Sequence, residues 1–138
     1  MLRVVCDTNV LVSAFIAAGP PSRVMEEIVA RRVGLVLPWP VVAELQRVLT
    51  EKLGFEAARW REVEELLVDL ASELPPPPKG EPEAVTGDPE DDIILACAVE
   101  AGVGVVVSGD RRHLLPVGTH RGVRVITPQA LLAELRVA

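Results

Sequence analysis

The fold class of this 138-residue chain is decided by the stretch GVGVVVSGD at residues 102–110. Its centre is apolar at every position, whereas a strand with one face in water alternates apolar and polar residues. Strands buried on both faces are typical of parallel sheets covered by helices. Short apolar runs of the same kind recur at residues 2–6, 35–37 and 123–126. The sequence therefore predicts a single α/β domain of three layers over residues 1–138, with a central parallel sheet flanked by helices.

Helical periodicity fills most of the chain between these runs. The predicted helices span residues 10–18, 22–32, 41–52, 56–71, 92–101 and 128–135. The fifth of them is apolar almost all round, which predicts a place inside the core. The stretch PPPPKGEP at residues 75–82 fits neither a helix nor a central strand, so we expect a long loop within the domain.

The composition excludes several classes of protein. Hydrophobic residues make up 49% of the chain, which is enough for a sizeable core and excludes a disordered segment. No apolar run approaches the roughly 18 residues of a membrane span. Cys6 and Cys97 lie in apolar runs, so we expect two buried thiols, a cytoplasmic location and no membrane partner. The net charge of -6 argues against a broad basic surface, but not against a nuclease that holds its substrate through metal ions.

Four carboxylates are expected at one edge of the predicted sheet. In parallel α/β sheets, ligands bind at the carboxyl ends of the strands, where the following helices begin. Asp7 ends the first strand, and Asp110 follows the strand at residues 105–108. Glu44 and Asp92 lie in the first turns of helices that start near the same edge. We therefore expect these four side chains to converge.

Asp92 is the most informative of the four carboxylates. It shares a helix face with three apolar residues, Leu95, Ala96 and Val99. We therefore expect its carboxylate to point along a buried stripe, where a charge needs a partner. Carboxylates gathered in a partly buried site repel one another, and a divalent cation that prefers oxygen ligands is an economical partner for them.

The acidic residues just before Asp92 have another explanation. Asp88 followed by Pro89 is a favourable start for a helix, because aspartate caps the first free N–H groups and proline suits the first turn. Glu90 and Asp91 suit the positive end of the helix dipole. We therefore interpret these acids as capping residues.

Four motifs of the chain resemble those of PIN domains. They are VVCDTNVLVSA at residues 4–14, PVVAEL at 40–45, DIILACA at 92–98 and VSGD at 107–110. The ending VITP at residues 125–128 is similar to bacterial PIN proteins that are toxin components of toxin–antitoxin pairs. The resemblance runs from residue 4 to about residue 135, with the four motifs in order.

The resemblance implies a metal-dependent ribonuclease of the VapC-like toxin class with a parallel sheet of strand order 3-2-1-4-5. The implied catalytic and metal-binding residues are Asp7, Glu44, Asp92 and Asp110. The implied substrate-binding or orienting residues are Thr8, Asn9, Ser108, Arg111 and Arg112. The implied cofactor is one or two Mg²⁺ or Mn²⁺ ions, and the implied partners are RNA, a cognate antitoxin and a second copy of the chain in a homodimer. Many relatives carry a further acidic residue soon after the Asp110 position, where this chain has RRH, which leaves the number of ions open.

Two other functions are consistent with some of these residues. A non-catalytic PIN-like module that binds RNA or protein would keep the fold, although a complete set of acids argues against it. A phosphatase of the haloacid dehalogenase type would use Asp7 as nucleophile, but it needs an aspartate where the chain has Asn9. The two histidines, His113 and His120, form no convincing nucleophilic set with a serine or cysteine. Trp39 could stack on a base or pack against the protein.

Overall fold

The computed structural model describes residues 1–137, in which six strands alternate with six α-helices. In chain order these elements are β1 (Arg3–Cys6), α1 (Thr8–Ile16), α2 (Pro20–Val29), β2 (Gly34–Val36), α3 (Trp39–Arg47), α4 (Ala57–Leu70), β3 (Ala71–Glu73), α5 (Pro89–Glu100), β4 (Val105–Val107), β5 (Thr119–His120), β6 (Val123–Ile126) and α6 (Pro128–Val137). A π-helical turn (Val48–Lys52) extends α3, and a 3₁₀ turn (Leu115–Val117) precedes β5. The last residue of the predicted domain, residue 138, lies outside the described residues.

The strands form one sheet of order β3-β2-β1-β4-β6-β5. Five of them run parallel in the order β3-β2-β1-β4-β6. If only these parallel strands are numbered, this is the predicted order 3-2-1-4-5. The two-residue strand β5 adds an antiparallel edge by pairing with β6. β1 and β4 are neighbours at the centre, where Cys6 pairs with Val107. This register brings Asp7 and Ser108, the next residue of each strand, side by side at the carboxyl edge.

The core confirms the class of sheet that the sequence predicted. Val105, Val106 and Val107 are all buried, as expected for a strand covered on both faces. Cys6 and Cys97 are buried free thiols. Among residues 1–137, no helix is both long and apolar enough to cross a bilayer.

Several boundaries differ from the sequence predictions; α1 and α2, for example, each begin two residues early, at Thr8 and Pro20. The edge strand at Ala71–Glu73 was assigned to a helix and a loop, because three partly exposed residues give no apolar pattern. Helix α3 begins at Trp39, two residues early, so Glu44 lies in its second turn. Helix α5 begins at Pro89, and Asp88 caps it by accepting hydrogen bonds from the next two free N–H groups, which confirms the capping interpretation for Asp88.

Candidate metal centre

Asp7 is the most deeply buried carboxylate at the carboxyl edge, with 3% of its surface exposed. It caps α1, because its Oδ1 accepts a hydrogen bond from the backbone N–H of Val10 at 2.9 Å. Its Oδ2 accepts a hydrogen bond from the Ser108 hydroxyl at 2.5 Å. Burial raises the pKa of Asp7 to about 6 against the lowering effect of these hydrogen bonds, and the charges of Asp110 and Glu44 add to the rise.

Asp110 is held by a turn that follows β4. Its own N–H donates to the Ser108 hydroxyl at 2.9 Å, so Ser108 connects Asp7 with Asp110. Its Oδ1 accepts from the backbone N–H of Arg112 at 2.9 Å and more weakly from that of His113 at 3.3 Å. Burial alone would raise the pKa of Asp110, but these donors together with Asp91 hold it below its usual value.

Glu44 approaches the same edge from α3. The hydroxyl of Thr8 donates to its Oε2 at 3.1 Å, which fixes the carboxylate beside the start of α1. Burial is the main reason that the pKa of Glu44 is raised, and the charge of Glu90 adds to the effect. Glu44 is therefore the third carboxylate of the site, and like Asp7 it is costly to ionise without a cation.

Asp91 completes this group, although the sequence analysis assigned it to the helix dipole. Burial raises the pKa of Asp91 to about 7, with further contributions from a hydrogen bond to Asp110 and from the charges of Asp88, Asp110 and Asp7. The pKa of Asp110 is shifted in the opposite direction, so Asp91 is the member of this pair that is costly to ionise without a cation.

These side chains line one cavity of about 590 Å³. Its lining consists of Asp7, Thr8, Asn9, Glu44, Asp88, Glu90, Asp91, Ile94, Asp110 and His113. Among these lining residues there are six carboxylates and neither lysine nor arginine. Such an excess of negative charge in a partly buried space is what a divalent cation with oxygen ligands would compensate.

Ligand spacing also fits a cation at this edge. Asp88, Asp91 and His113 each offer one ligand atom, and these three atoms all lie within 4.8 Å of one another. His113 Nδ1 is 3.6 Å from Asp110 Oδ2 and 3.9 Å from Asp91 Oδ2, so the imidazole faces the carboxylates. Carboxylate oxygens suit Mg²⁺ and Mn²⁺ alike, whereas an imidazole nitrogen favours Mn²⁺.

Asp92 does not join the three other predicted carboxylates. Its Oδ1 accepts hydrogen bonds from the backbone N–H groups of Val85 at 3.1 Å and Thr86 at 2.8 Å, and from the Thr86 hydroxyl at 2.8 Å. Burial alone would raise the pKa of Asp92, but these hydrogen bonds lower it. The partner that a buried carboxylate needs is thus a loop and not a metal ion. We therefore do not propose Asp92 as a metal ligand.

The predicted substrate-binding residues divide into two groups. Thr8 and Ser108 are 4% and 0% exposed, so they can orient carboxylates but are closed to a large substrate. Asn9, Arg111 and Arg112 are exposed at the rim of the site. Asn9 and Arg111 also line an adjoining groove of about 900 Å³. This second group is placed to meet a substrate.

The sequence analysis missed the place of Asp91, Asp88 and His113 in the cavity. Asp91 lies one turn before Ile94, which lines the same cavity. Helical spacing could therefore have separated an Asp91 face from an Asp92 face. Helical spacing could not have decided whether Asp91 or Asp92 points toward the strand ends, because that depends on how α5 packs.

The comparisons with known proteins agree with this geometry. Residues 3–112 match the sequence profile of the family described as PIN domain. No protein of curated function matches the chain in sequence.

Several solved structures share the fold. FitAcB from Neisseria gonorrhoeae superposes with a TM-score of 0.60 at 17% identity, over 91% of this chain and 98% of that one. PAE2754 from Pyrobaculum aerophilum gives a TM-score of 0.60 at 18% identity, over 99% and 91%. FitAB bound to an IR36 DNA fragment gives 0.60 at 18% identity, over 91% and 94%. The superpositions establish a common fold. Because the sequence identities are this low, the activity has to be argued from the site.

Proposed function

The chain belongs to the PIN domain family, and from that premise we propose that it is a metal-dependent ribonuclease that hydrolyses phosphodiester bonds of RNA. One observation carries this proposal above the others. Asp7, Glu44, Asp91 and Asp110 face one cavity that contains no lysine or arginine among its lining residues, and three of the four have raised pKa values. Such a site favours divalent cations and, through them, the phosphates of a nucleic acid.

In this proposal the four carboxylates hold one or two Mg²⁺ or Mn²⁺ ions, and the imidazole of His113 is a further ligand. Asp7 and Asp110 provide ligands from the ends of the two central strands, Glu44 from α3 and Asp91 from α5. When bound, such an ion supplies a water molecule of lowered pKa and stabilises negative charge on the leaving 3′-oxygen. The expected products therefore carry a 5′-phosphate and a 3′-hydroxyl.

Other residues of the chain would position these groups and the substrate. Ser108 fixes Asp7 relative to Asp110, and Thr8 fixes Glu44, through the hydrogen bonds described above. Asn9 and Arg111 lie exposed beside the cavity, where an amide and a guanidinium would bind the RNA backbone. No protein side chain acts as a covalent nucleophile in this scheme.

The biological role that we propose is that of the toxin in a toxin–antitoxin pair in the cytoplasm. The resemblance of the ending VITP at residues 125–128 to bacterial PIN toxins supports it, and the two buried free thiols suit a reducing compartment. An antitoxin could inhibit the enzyme by inserting a basic side chain into the acidic cavity. Exposed apolar side chains such as Ile16 and Leu66 are candidates for a homodimer contact, which light scattering would test.

Cleavage of a mixed panel of structured and single-stranded RNAs tests the proposal. We expect cleavage with Mn²⁺ or Mg²⁺, none with EDTA, and 5′-phosphate ends on the products. Asp7→Asn and Asp91→Asn should abolish cleavage while the folded state persists, and Asp69→Asn on α4 is the matched control. Cleavage that survives both substitutions would indicate a contaminating nuclease. RNA binding without cleavage by any form would favour the non-catalytic module.

A further inference from the structure

A second cavity lies along a different face of α5 from the metal centre. It is open to solvent on one side, has a volume of about 160 Å³, and is bounded by α5, the loop at residues 78–85 and the turn after β5. Asp92 lines this cavity and does not line the acidic one. The scheme proposed above for RNA hydrolysis leaves both the cavity and the Asp92 carboxylate without a role.

Asp92 places a negative charge at the wall of this cavity. Only 8% of its surface is exposed, and all three hydrogen bonds that it accepts go to Oδ1. Its Oδ2 accepts no hydrogen bond within residues 1–137. Among the described residues, only Arg3 Nε is a side-chain polar atom that is inaccessible to solvent and has no hydrogen-bond partner. Because Asp92 Oδ2 also has no partner, it must be accessible to solvent. The oxygen is therefore open to the cavity that its residue lines.

Asp92 takes part in none of the ion pairs found among the described residues. Its Oδ2 therefore lacks a positive partner.

The remaining wall of the cavity is apolar and its lip is charged. Aliphatic side chains and proline rings form the wall: Pro78, Pro82, Val85, Leu95, Ala96 and Val99. At the lip, Glu83 Oε2 is 3.2 Å from His120 Nε2 and 3.0 Å from Arg121 Nε. The charge of Glu83 is thus already balanced. The other charged residues of the lining are Lys79, Glu81 and Glu100, so the cavity is negative overall.

We propose that this cavity binds the side chain of a lysine or arginine presented by a protein partner. The aliphatic stem would lie against the apolar wall, and the cationic head would donate to Asp92 Oδ2. A phosphate of RNA would be repelled by Asp92. A free polyamine could place an ammonium group on the same carboxylate, so spermidine that shifts the Val85 and Thr86 amides as strongly as the lysine probe would overturn the inference. The inference does not depend on the nuclease activity.

Chemical shifts of the ¹⁵N-labelled chain test this inference directly. The probes are Nα-acetyl-lysine N-methylamide and Nα-acetyl-arginine N-methylamide, with the norleucine derivative as a neutral probe of similar stem length. We expect saturable shifts of the Val85 and Thr86 amides with the cationic probes and at least tenfold weaker binding of norleucine. If neither cationic probe shifts these amides, the inference is wrong.

Substitutions separate the charge from the shape of the cavity. Asp92→Asn keeps an acceptor for the three donors of the loop and removes the charge, so it should weaken binding of the lysine probe at least tenfold. Asp69→Asn on α4 is the matched control and should bind normally. Ala96→Leu should also abolish binding, because it fills the cavity without altering Asp92. Unchanged affinity of Asp92→Asn for the lysine probe would overturn the inference. Binding seen only after Lys79→Ala would also overturn it, because Lys79 itself would then occupy the cavity in the native chain.

Discussion

Asp7→Asn is expected to stabilise the metal-free protein at neutral pH while removing its response to metal ions. Burial raises the pKa of Asp7 from 3.8 to about 6. Because the folded chain holds this proton more tightly than the unfolded chain, the contribution of Asp7 to stability is present below the unfolded pKa. It is lost as the pH rises through about 6.

The size of this effect follows from the shift. About two pKa units correspond to about 3 kcal/mol over the whole titration, of which about 2 kcal/mol fall between about pH 4.5 and pH 7.5. Asparagine at position 7 does not titrate and can still cap α1. It disturbs the hydrogen bond from Ser108, which costs about 1 kcal/mol at either pH. The free energy of unfolding of Asp7→Asn relative to the native chain should therefore rise by about 2 kcal/mol between the two pH values.

Urea unfolding in EDTA, followed by tryptophan fluorescence, measures this difference, since Trp60 is buried in α4. Asp91 titrates in both proteins, and the charge of Asp7 is the smallest of the causes that raise the pKa of Asp91, so most of the difference belongs to Asp7. Mg²⁺ or Mn²⁺ added at neutral pH should then stabilise the native chain and leave Asp7→Asn nearly unchanged. A stability difference that does not depend on pH would refute the argument that burial of this carboxylate is opposed by its charge. A metal response that persists in Asp7→Asn would remove Asp7 from the proposed ligand set.

Three further predictions concern the same centre. Asp91→Asn should lower the rate of RNA cleavage at least a hundredfold, whereas Asp92→Asn should keep most of it. Initial rates on a 5′-labelled RNA measure both, and the opposite order of rates would mean that Asp92 holds the metal. His113→Gln should weaken Mn²⁺ binding in titration calorimetry more than Mg²⁺ binding, and equal losses, or an equal effect of His120→Gln, would contradict an imidazole ligand. Ser108→Ala should lower the free energy of unfolding by about 1–3 kcal/mol, because Asp7 and the Asp110 N–H both lose a buried partner; an unchanged midpoint in urea would count against that connection.

The fold could be predicted almost completely from the sequence. An uninterrupted valine run at β4 requires cover on both faces, and alternation of such runs with helical periodicity leaves few arrangements besides a parallel α/β sheet. β3 and β5 could not be predicted, because strands of two or three residues at a sheet edge bury too little surface to impose a pattern. β3 also pairs with β2, which is distant in the chain, whereas β5 pairs with β6 across a short hairpin.

Part of the metal centre could be predicted for a similar reason. Asp7 follows β1 directly and Asp110 follows β4 after Ser108 and Gly109, so the strand order alone brings them to the same edge. The hydrogen bond from the Thr8 hydroxyl to Glu44 and the place of Asp91 in the acidic cavity depend on side-chain positions that no periodicity contains.

Asp92 separates most clearly what the sequence determined from what tertiary structure decided. Helical spacing correctly placed it on one face with Leu95, Ala96 and Val99, and all four line the same cavity. The direction of that face depends on the rotation of α5 against the sheet, which is set by the packing of the whole core. That rotation turns Asp91 toward the strand ends and Asp92 toward Val85 and Thr86. Adjacent helical residues point about 100° apart, so only one of Asp91 and Asp92 can face the strand ends. Contacts distant in the chain fix the rotation of α5 and therefore decide which of the two it is.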